Sequence, residues 1–321
     1  MKNYAVLIAS SLVVMLAHAN DSTGYVSTNG IEYLKSKDIQ MYSEDLFISK
    51  KNIKVDYQFK NLSTQDVTET ILFPLPKVES FTDSDFADTA KLIKSFKVWI
   101  DGKPIQTEIH VRSFMPPLKK DGEIDWHAKW IDVTDELRGC GFSTKDLQSP
   151  WTHKSQRTVS TEKFLACKNT KIQNLLKGTT KYDEVTWSSQ LIYSWKQTFK
   201  ANSTTHVKHQ YSPLVGGSVA FSDDYEGKDY CMDANFKAGI KKAKLGQAPY
   251  AALGYILKTG ANWAKPIENF KLTIERDVNE LVSFCWAGKV KKISPTQFQM
   301  VEKNFVPKHD LNIIFVKPRT I

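Results

Sequence analysis

The stretch that most constrains this chain is 42–76, YSEDLFISKKNIKVDYQFKNLSTQDVTETILFPLP. At its centre Ile53, Val55, Tyr57 and Phe59 alternate with Lys54, Asp56, Gln58 and Lys60. A strict period of two gives one apolar face and one wet face, the mark of a half-buried strand. Leu46 and Ile48 precede it across Ser49-Lys50-Lys51-Asn52, which suits a turn. Asn61 to Asp66 supplies turn chemistry, and a third run, Val67 to Phe73, stops at Pro74, which has no N–H to give a ladder. The pattern predicts an antiparallel meander, and its apolar face requires a second layer.

The same alternation recurs downstream. Phe96, Val98 and Ile100 lead into Asp101-Gly102, and Ile105, Thr107, Ile109 and Val111 lead out, a strong hairpin signal. Val185, Trp187, Leu191, Tyr193, Trp195 and Phe199 share one parity and predict a long aromatic wall. Thr205, Val207, His209 and Tyr211 alternate next. Residues 20–40 read as a lead-in strand with turns at Gly24 and Asn29-Gly30. Further strands are expected near Tyr255–Thr259, Phe270–Ile274, Val282–Trp286, Phe298–Phe305 and Leu311–Val316. Between 118 and 182 the alternation disappears. There Thr134 is a candidate N-cap before Asp135-Glu136. Ser160 or Thr161 is a candidate cap for a helix carrying Phe164, Leu165, Ile172, Leu175 and Leu176 and ended by Gly178. Asp229 to Lys244 reads as a further short helix.

The expected organisation is a leader over 1–19, a first sandwich part over 20–117 and a helical insertion over 118–182. A second sandwich part over 183–217 and a β-rich C-terminal subdomain over 218–321 follow. The insertion is expected to carry specificity, as excursions from a rigid β-scaffold commonly do, and its deletion to leave a folded protein. Trp126, Trp130 and Trp151 fall in it, away from any alternating run, and form a candidate interaction surface for an envelope protein or glycan.

Lys2, the apolar run Ala5 to Leu16 and the small-x-small triplet Ala17-His18-Ala19 read as a secretory signal peptide cleaved between Ala19 and Asn20. The run is short of the ~20 apolar residues of a membrane span. No Cys follows the cleavage point, so a lipid anchor is not expected. The mature chain is expected to be periplasmic or secreted. Cleavage removes one Lys and no acid, taking the balance from 44 basic against 35 acidic residues to 43 against 35, a net charge of +8. That charge is spread thinly. No motif concentrates it for nucleic acid, and weak attraction to an anionic membrane surface is the most it implies.

The four cysteines suit an exported protein with two disulfides, for which three pairings exist. Cys140–Cys167 with Cys231–Cys285 keeps each bridge within its own region. No C-x-x-C spacing supports zinc instead.

Two fragments match acyl-transferase signatures: Ser160-Thr161-Glu162-Lys163 has the S-x-x-K form and Lys258-Thr259-Gly260 the K-T-G form. No S-D-N element lies between them, and no G-x-S-x-G occurs. A serine hydrolase or acyl transferase using Ser160 and Lys163 is the alternative to a non-catalytic binding protein. A structural assembly subunit is a third. His206 and His209 fall on opposite faces of a strand, so they do not share a metal, and His209 reads as a hydrogen-bonded core residue. Asp83, Asp85 and Asp88 resemble hard-cation ligands but lack the EF-hand Gly and terminal Glu. They read as a solvated loop, as do Asp223-Asp224 and Asp121-x-Glu123-x-Asp125. No cofactor or metal site is expected.

Several separated motifs resemble one family. They are Glu44-Asp45-Leu46-x-Ile48, Val55-x-Tyr57-x-Phe59-x-Asn61, Phe73-Pro74-x-Pro76 and Tyr193-x-Trp195-x-Gln197-x-Phe199. Further on come His209-x-Tyr211-x-Pro213-x-x-Gly216, Trp263-x-x-Pro266-Ile267-x-x-Phe270-x-Leu272, Phe284-Cys285 and Asn304-Phe305-x-Pro307. In this order they resemble the bacterial exported family called domain of unknown function 4424. The resemblance implies a mainly β fold, an immunoglobulin-like antiparallel sandwich, in a Gram-negative envelope. It implies no activity and no catalytic residues.

Overall fold

A computed structural model of the chain describes residues 20–27, 30–80, 89–148, 154–178, 185–218, 221, 229–242 and 248–317. Trp151, Asp83, Asp85, Asp88, Asp223 and Asp224 lie outside the described residues. In chain order, β1 (Ser22–Ser27) pairs with β2 (Gly30–Leu34), and β3 (Ile39–Ile48) with β4 (Ile53–Asn61). Next come β5 (Val67–Pro74), β6 (Val78–Glu79), α1 (Thr89–Ser95), β7 (Lys97–Ile100), β8 (Lys103–Ile105), β9 (Glu108–Met115) and β10 (Ile131–Asp132). Helices α2 (Thr134–Gly139), α3 (Thr144–Gln148), α4 (Lys154–Ala166) and α5 (Thr170–Leu176) precede the long strands β11 (Ser188–Phe199) and β12 (Thr204–Tyr211). The remainder is β13 (Gly216–Ser218), α6 (Ala234–Lys242), β14 (Tyr250–Tyr255), a 3-10 turn (Lys258–Asn262), β15 (Ile267–Glu275), β16 (Leu281–Phe284), β17 (Lys291–Lys292), β18 (Gln297–Phe305) and β19 (Leu311–Val316).

The fold is mainly β. One sheet runs β10-β9-β11-β5-β1-β2, with β6 also on β11. A second runs β17-β18-β15-β3-β4-β12-β7-β8, and a third β13-β14-β19-β16. All pairings are antiparallel except β3 with β15, which is parallel. The larger sheets hold seven and eight strands, and the parallel β3–β15 pair departs from the purely antiparallel pairing of an immunoglobulin domain.

The alternating residues point where their period requires. Ile53, Val55, Tyr57 and Phe59 are buried, as are Thr205, Val207, His209 and Tyr211 on the neighbouring strand. From the first sheet, Phe73 and Trp195 meet them edge-on, their rings 4.8 and 5.2 Å from that of His209. The Asp101-Gly102 hairpin forms as expected, both residues at positive φ (48° and 78°) between β7 and β8.

Several expectations need correction. The third run is no part of a meander with β3 and β4. β5 lies in the opposite sheet, between β11 and β1. Asn61 makes the crossing: its amide donates to Gln65 O at 2.8 Å and to Phe199 O, in the other sheet, at 3.0 Å, while its side-chain oxygen accepts from Ser63 N–H. Gly24 is no turn residue but lies inside β1, where a Cβ would run into the Glu32 carbonyl and the Leu72 side chain. Thr134 does not cap α2. Its N–H and hydroxyl both donate to Asp132 Oδ1, and its hydroxyl accepts from Ser113 N–H. Ser160 and Thr161 lie within α4 rather than at a cap. The helix expected across 164–176 is two helices, with Asn169 capping the second through Lys171 N–H and Ile172 N–H. The helix expected from Asp229 begins at Ala234. The strand expected at Tyr255–Thr259 ends at Tyr255, and the 3-10 turn follows.

The insertion is not a detachable excursion. Leu137, Phe142, Leu147, Phe164 and Ile172 are buried in the same cluster as the two large sheets. Phe164 meets Trp187 at 5.6 Å, and Cys140 is bonded to Cys167 across the base of the helices. The run Ile313 to Val316 is buried throughout because its sheet is covered on both sides: Ile313 and Phe315 join the main core, while Ile314 and Val316 join a smaller one with Phe236 of α6. The Cys231–Cys285 bond closes that side.

Phe164 tests the integration of the insertion. It is fully buried, so Phe164→Ala is expected to cost about 3–5 kcal/mol in urea unfolding. An unchanged midpoint would show the helices to be an independent appendage.

Candidate functional site

The loop between β9 and β10 presents a pair of indoles. Trp126 is 50% exposed, and its ring lies 6.3 Å from that of the half-buried Trp130. Backbone turns fix the loop: Asp121 Oδ1 accepts from Glu123 N–H, and Asp125 Oδ1 from the N–H groups of His127 and Ala128. The carboxylates of 121–125 therefore shape the loop. Among the described residues no His, Cys, Asp and Glu group has a metal-binding arrangement.

The chain leaves β5 through Pro74-Leu75-Pro76, where missing N–H groups end the pairing. Val78 and Glu79 then re-engage β11 opposite Ser189 and Ser188. This excursion walls a cleft of about 460 Å³ lined by Pro76, Lys77, Glu79, Leu92, Tyr230 and Asn312, among others. Its size and its mix of apolar walls with a few polar groups are those of small-ligand sites. Burial pushes the Lys77 amine below its ordinary range, with Asp132 and Glu79 opposing the shift and Lys129 adding to it. Burial likewise pushes the Glu79 carboxyl up, against the pull of Lys77. Two ionisable groups biased toward neutrality in one cleft mark a candidate site. The Lys77 ammonium lies 3.7 Å over the Phe114 ring, within electrostatic reach of Asp132 and of Lys129, which precedes Trp130.

The two acyl-transferase fragments are engaged separately. Lys163 Nζ donates to Asp146 Oδ2 at 2.7 Å and to Gly141 O at 3.3 Å, so it is held away from a base role toward Ser160. Lys258 is paired with Asp310 at 3.4 Å, and Thr259 Oγ1 accepts the backbone N–H of Asn20. No hydrogen bond or ion pair joins the two fragments among the described residues.

His206 is exposed and His209 buried, on opposite faces as expected. His209 is not hydrogen-bonded, however. Neither ring nitrogen makes a hydrogen bond, and the Asp21 carboxylate stands at ion-pair distance, Oδ2 3.5 Å from Nε2. Rings of Tyr57, Phe73, Phe96 and Trp195 surround it.

Beyond Asp21 lies Glu44, also fully buried, with Nδ2 of Asn20 donating to its Oε2 at 3.0 Å. Sequence reasoning passed over both carboxylates, and over Lys77 and Glu79. Glu44 carried a usable signal: it shares parity with Leu46 and Ile48 and so faces inward. A register shift between Met41 and Ser43 makes this possible, since Met41 is buried on odd parity and Glu44 on even. Asp21, Lys77 and Glu79 lie in no alternating run.

Burial holds the His209 imidazole down at about 3. The folded value lies below the ordinary one, so its stabilising contribution is present above pH ~6.5 and is lost as pH falls toward 3. Between pH 7 and 4.5 this amounts to about 2–3 kcal/mol. In His209→Phe, urea midpoints at the two pH values are expected to differ by that much less than in the parent. An identical acid sensitivity counts against a neutral buried ring.

No curated protein matches the chain. Among solved structures, a candidate nutrient-binding protein from Legionella pneumophila is similar over 92% of this chain and 69% of its own, at 13% identity and a TM-score of 0.44. Native yeast LTA4 hydrolase is similar over 89% of this chain and 31% of its own, at 11% identity and a TM-score of 0.29. A two-domain M1 zinc metallopeptidase bound to L-tryptophan is similar over 88% and 44%, at 6% identity and a TM-score of 0.24. The chain thus spans less than half the length of either peptidase-type structure, and at such TM-scores none of the three likenesses bears on activity. The family pattern is different in kind, because it runs through the strands and motifs described above: it matches residues 19–314, and the chain belongs to the family Domain of unknown function (DUF4424).

Proposed function

We propose that this protein is an exported, non-catalytic binding module of the bacterial envelope that takes its partner, an envelope protein or glycan, on the surface formed by Trp126, Trp130 and the Lys77–Glu79 cleft. The observation that carries the reading is an exposed indole, paired with Trp130 on a hydrogen-bonded loop, together with a cleft whose Lys77 lies within electrostatic reach of Lys129 of that loop. Exposed tryptophan costs little ordering entropy on binding and contributes a large contact area, so it is over-represented where binding energy concentrates. Export is supported by the leader-like N-terminus and by two disulfides, which persist in oxidising compartments. A non-catalytic role is supported by the separate engagement of the S-x-x-K and K-T-G fragments, whose lysines are paired with Asp146 and Asp310.

Trp126→Ala and Lys77→Ala separate the two halves of the surface. Trp126 is half exposed, so its loss is expected to leave thermal unfolding nearly unchanged. Recovery of cross-linked partner from envelope extract is expected to fall roughly tenfold or more in either variant. Equal recovery by the parent and both variants would place the binding surface elsewhere.

A further inference from the structure

Asn20, where the described chain begins, has no exposed surface. Its backbone N–H donates to Thr259 Oγ1 and its amide to Glu44 Oε2, while its side-chain oxygen accepts from Tyr57 O–H and from Asp21 N–H at 3.0 Å. Trp263 Nε1–H holds the next carbonyl, Asp21 O, at 2.8 Å. Gly260 leaves room for the residue: a Cβ there would lie 2.9 Å from Asn20 Nδ2 and 3.2 Å from Pro307 Cγ. The K-T-G turn is thus a seat for Asn20.

The seat holds two carboxyl groups with no cation beside them among the described residues, and burial pushes both up, Glu44 to about 8. Asp21 is fully buried, and neither of its carboxylate oxygens accepts a hydrogen bond; Glu44 Oε1 accepts none either. Among the described residues no Lys or Arg pairs with either carboxylate, and His209 Nε2, at 3.5 Å from Asp21, is the nearest basic group recorded. The walls are Tyr57, Tyr255 and Trp263, with Tyr57 and Tyr255 hydroxyls 3.4 Å apart. Buried carboxylates without a cation are strongly disfavoured. The residue plugged between them is the one that cleavage after Ala19 turns into a new N-terminus.

We propose that the α-ammonium group of Asn20, freed by hydrolysis of the Ala19–Asn20 bond, is the missing cation of this site. It keeps its hydrogen bond to Thr259 and turns its other N–H bonds to Asp21 and Glu44, so that processing completes the core. Water supplies the hydroxyl to the Ala19 carbonyl and a proton to the Asn20 nitrogen, and solvent supplies the second proton. The export signal peptidase does this on the unfolded chain, before the seat closes over residue 20. Amines of this kind ordinarily titrate near ~8, so the group is charged at neutral pH even before its partners favour that form.

The inference rests on the export reading, and its tests separate the two. Protein purified from the periplasm is expected to have the intact mass of a chain beginning at Asn20. An amine-acylating reagent near neutral pH is then expected to modify exposed lysines such as Lys51 and Lys54 in the folded protein, to spare the Asn20 amine, and to modify it once urea unfolds the chain. A chain that begins elsewhere overturns the processing step itself. A chain that begins at Asn20 but whose amine reacts as fast folded as unfolded leaves export standing and overturns the buried ammonium. In oxidised, purified protein, one extra Gly before Asn20 is expected to lower the melting temperature by on the order of 10 °C. That penalty is expected to shrink in an Asp21→Asn, Glu44→Gln background. An undiminished penalty there assigns the effect to crowding and overturns the charge argument.

Discussion

The structure depends on two sheets closing on one aromatic interior, with the chain passing from one sheet to the other after nearly every hairpin. β4 and β12 supply Tyr57, Phe59, His209 and Tyr211 from one side, and β5 and β11 supply Phe73, Tyr193, Trp195 and Phe199 from the other. The stacked Phe96–Tyr193 pair, with centroids 3.6 Å apart, and the Phe59–Phe199 contact at 5.7 Å show the layers interlocking. Each ring removes a large apolar area from water, about 150–250 Å², so no single strand is stable without the opposite layer. The crossings are therefore part of the core, and Asn61 bonds to both layers at one of them.

This explains what the sequence could and could not disclose. A period of two fixes which side chains face inward, and the inward sets of β4, β11 and β12 were all legible. It does not name the strand's neighbour. A run after a turn can fold back beside its predecessor or cross to the facing sheet, and either choice buries the same residues. β5 takes the second path because its partner, β11, lies more than a hundred residues ahead, a pairing no local signal encodes. The short helices between β10 and β11 were misread at their ends for a related reason. Val133 stands at the start of α2 without a side-chain cap while Asp132 binds Thr134, Asn169 caps α5, and Thr134 is recruited by Ser113 of β9. Tertiary partners decided what propensity alone left to Thr134 and Ser160.

The register shift in β3 shows how a small irregularity sets chemistry. Without it, the inward parity of Ile39 and Met41 would continue, turning Asp45 inward and Glu44, Leu46 and Ile48 toward solvent. With it, Glu44 turns inward toward Asn20 while Leu46 and Ile48 stay in the core. A bulge that puts a carboxylate among aromatic rings is costly unless something answers its charge, so the carboxylate and its partner have to be explained together. Around Asn20 the Glu44 carboxylate, the Thr259 hydroxyl and the Gly260 gap come together from residues far apart in sequence, with the Asp21 carboxylate next in the chain.

The placement of these charged groups also divides the molecule by role. The interior cluster of Asn20, Asp21 and Glu44 is buried among Tyr57, Tyr255 and Trp263. The Lys77–Glu79 cleft is open to solvent and partly desolvated, and its two ionisable groups line it. Burial costs are similar in kind at both places, but only at the cleft can an arriving partner relieve them. An incoming group that hydrogen-bonds Lys77 or Glu79 gains from a site already stripped of part of its water, while the indoles supply contact area with little further ordering. Under the proposed function, binding energy concentrates at the rim where β5 leaves the sheet, a position created by Pro74 and Pro76 rather than by any catalytic motif.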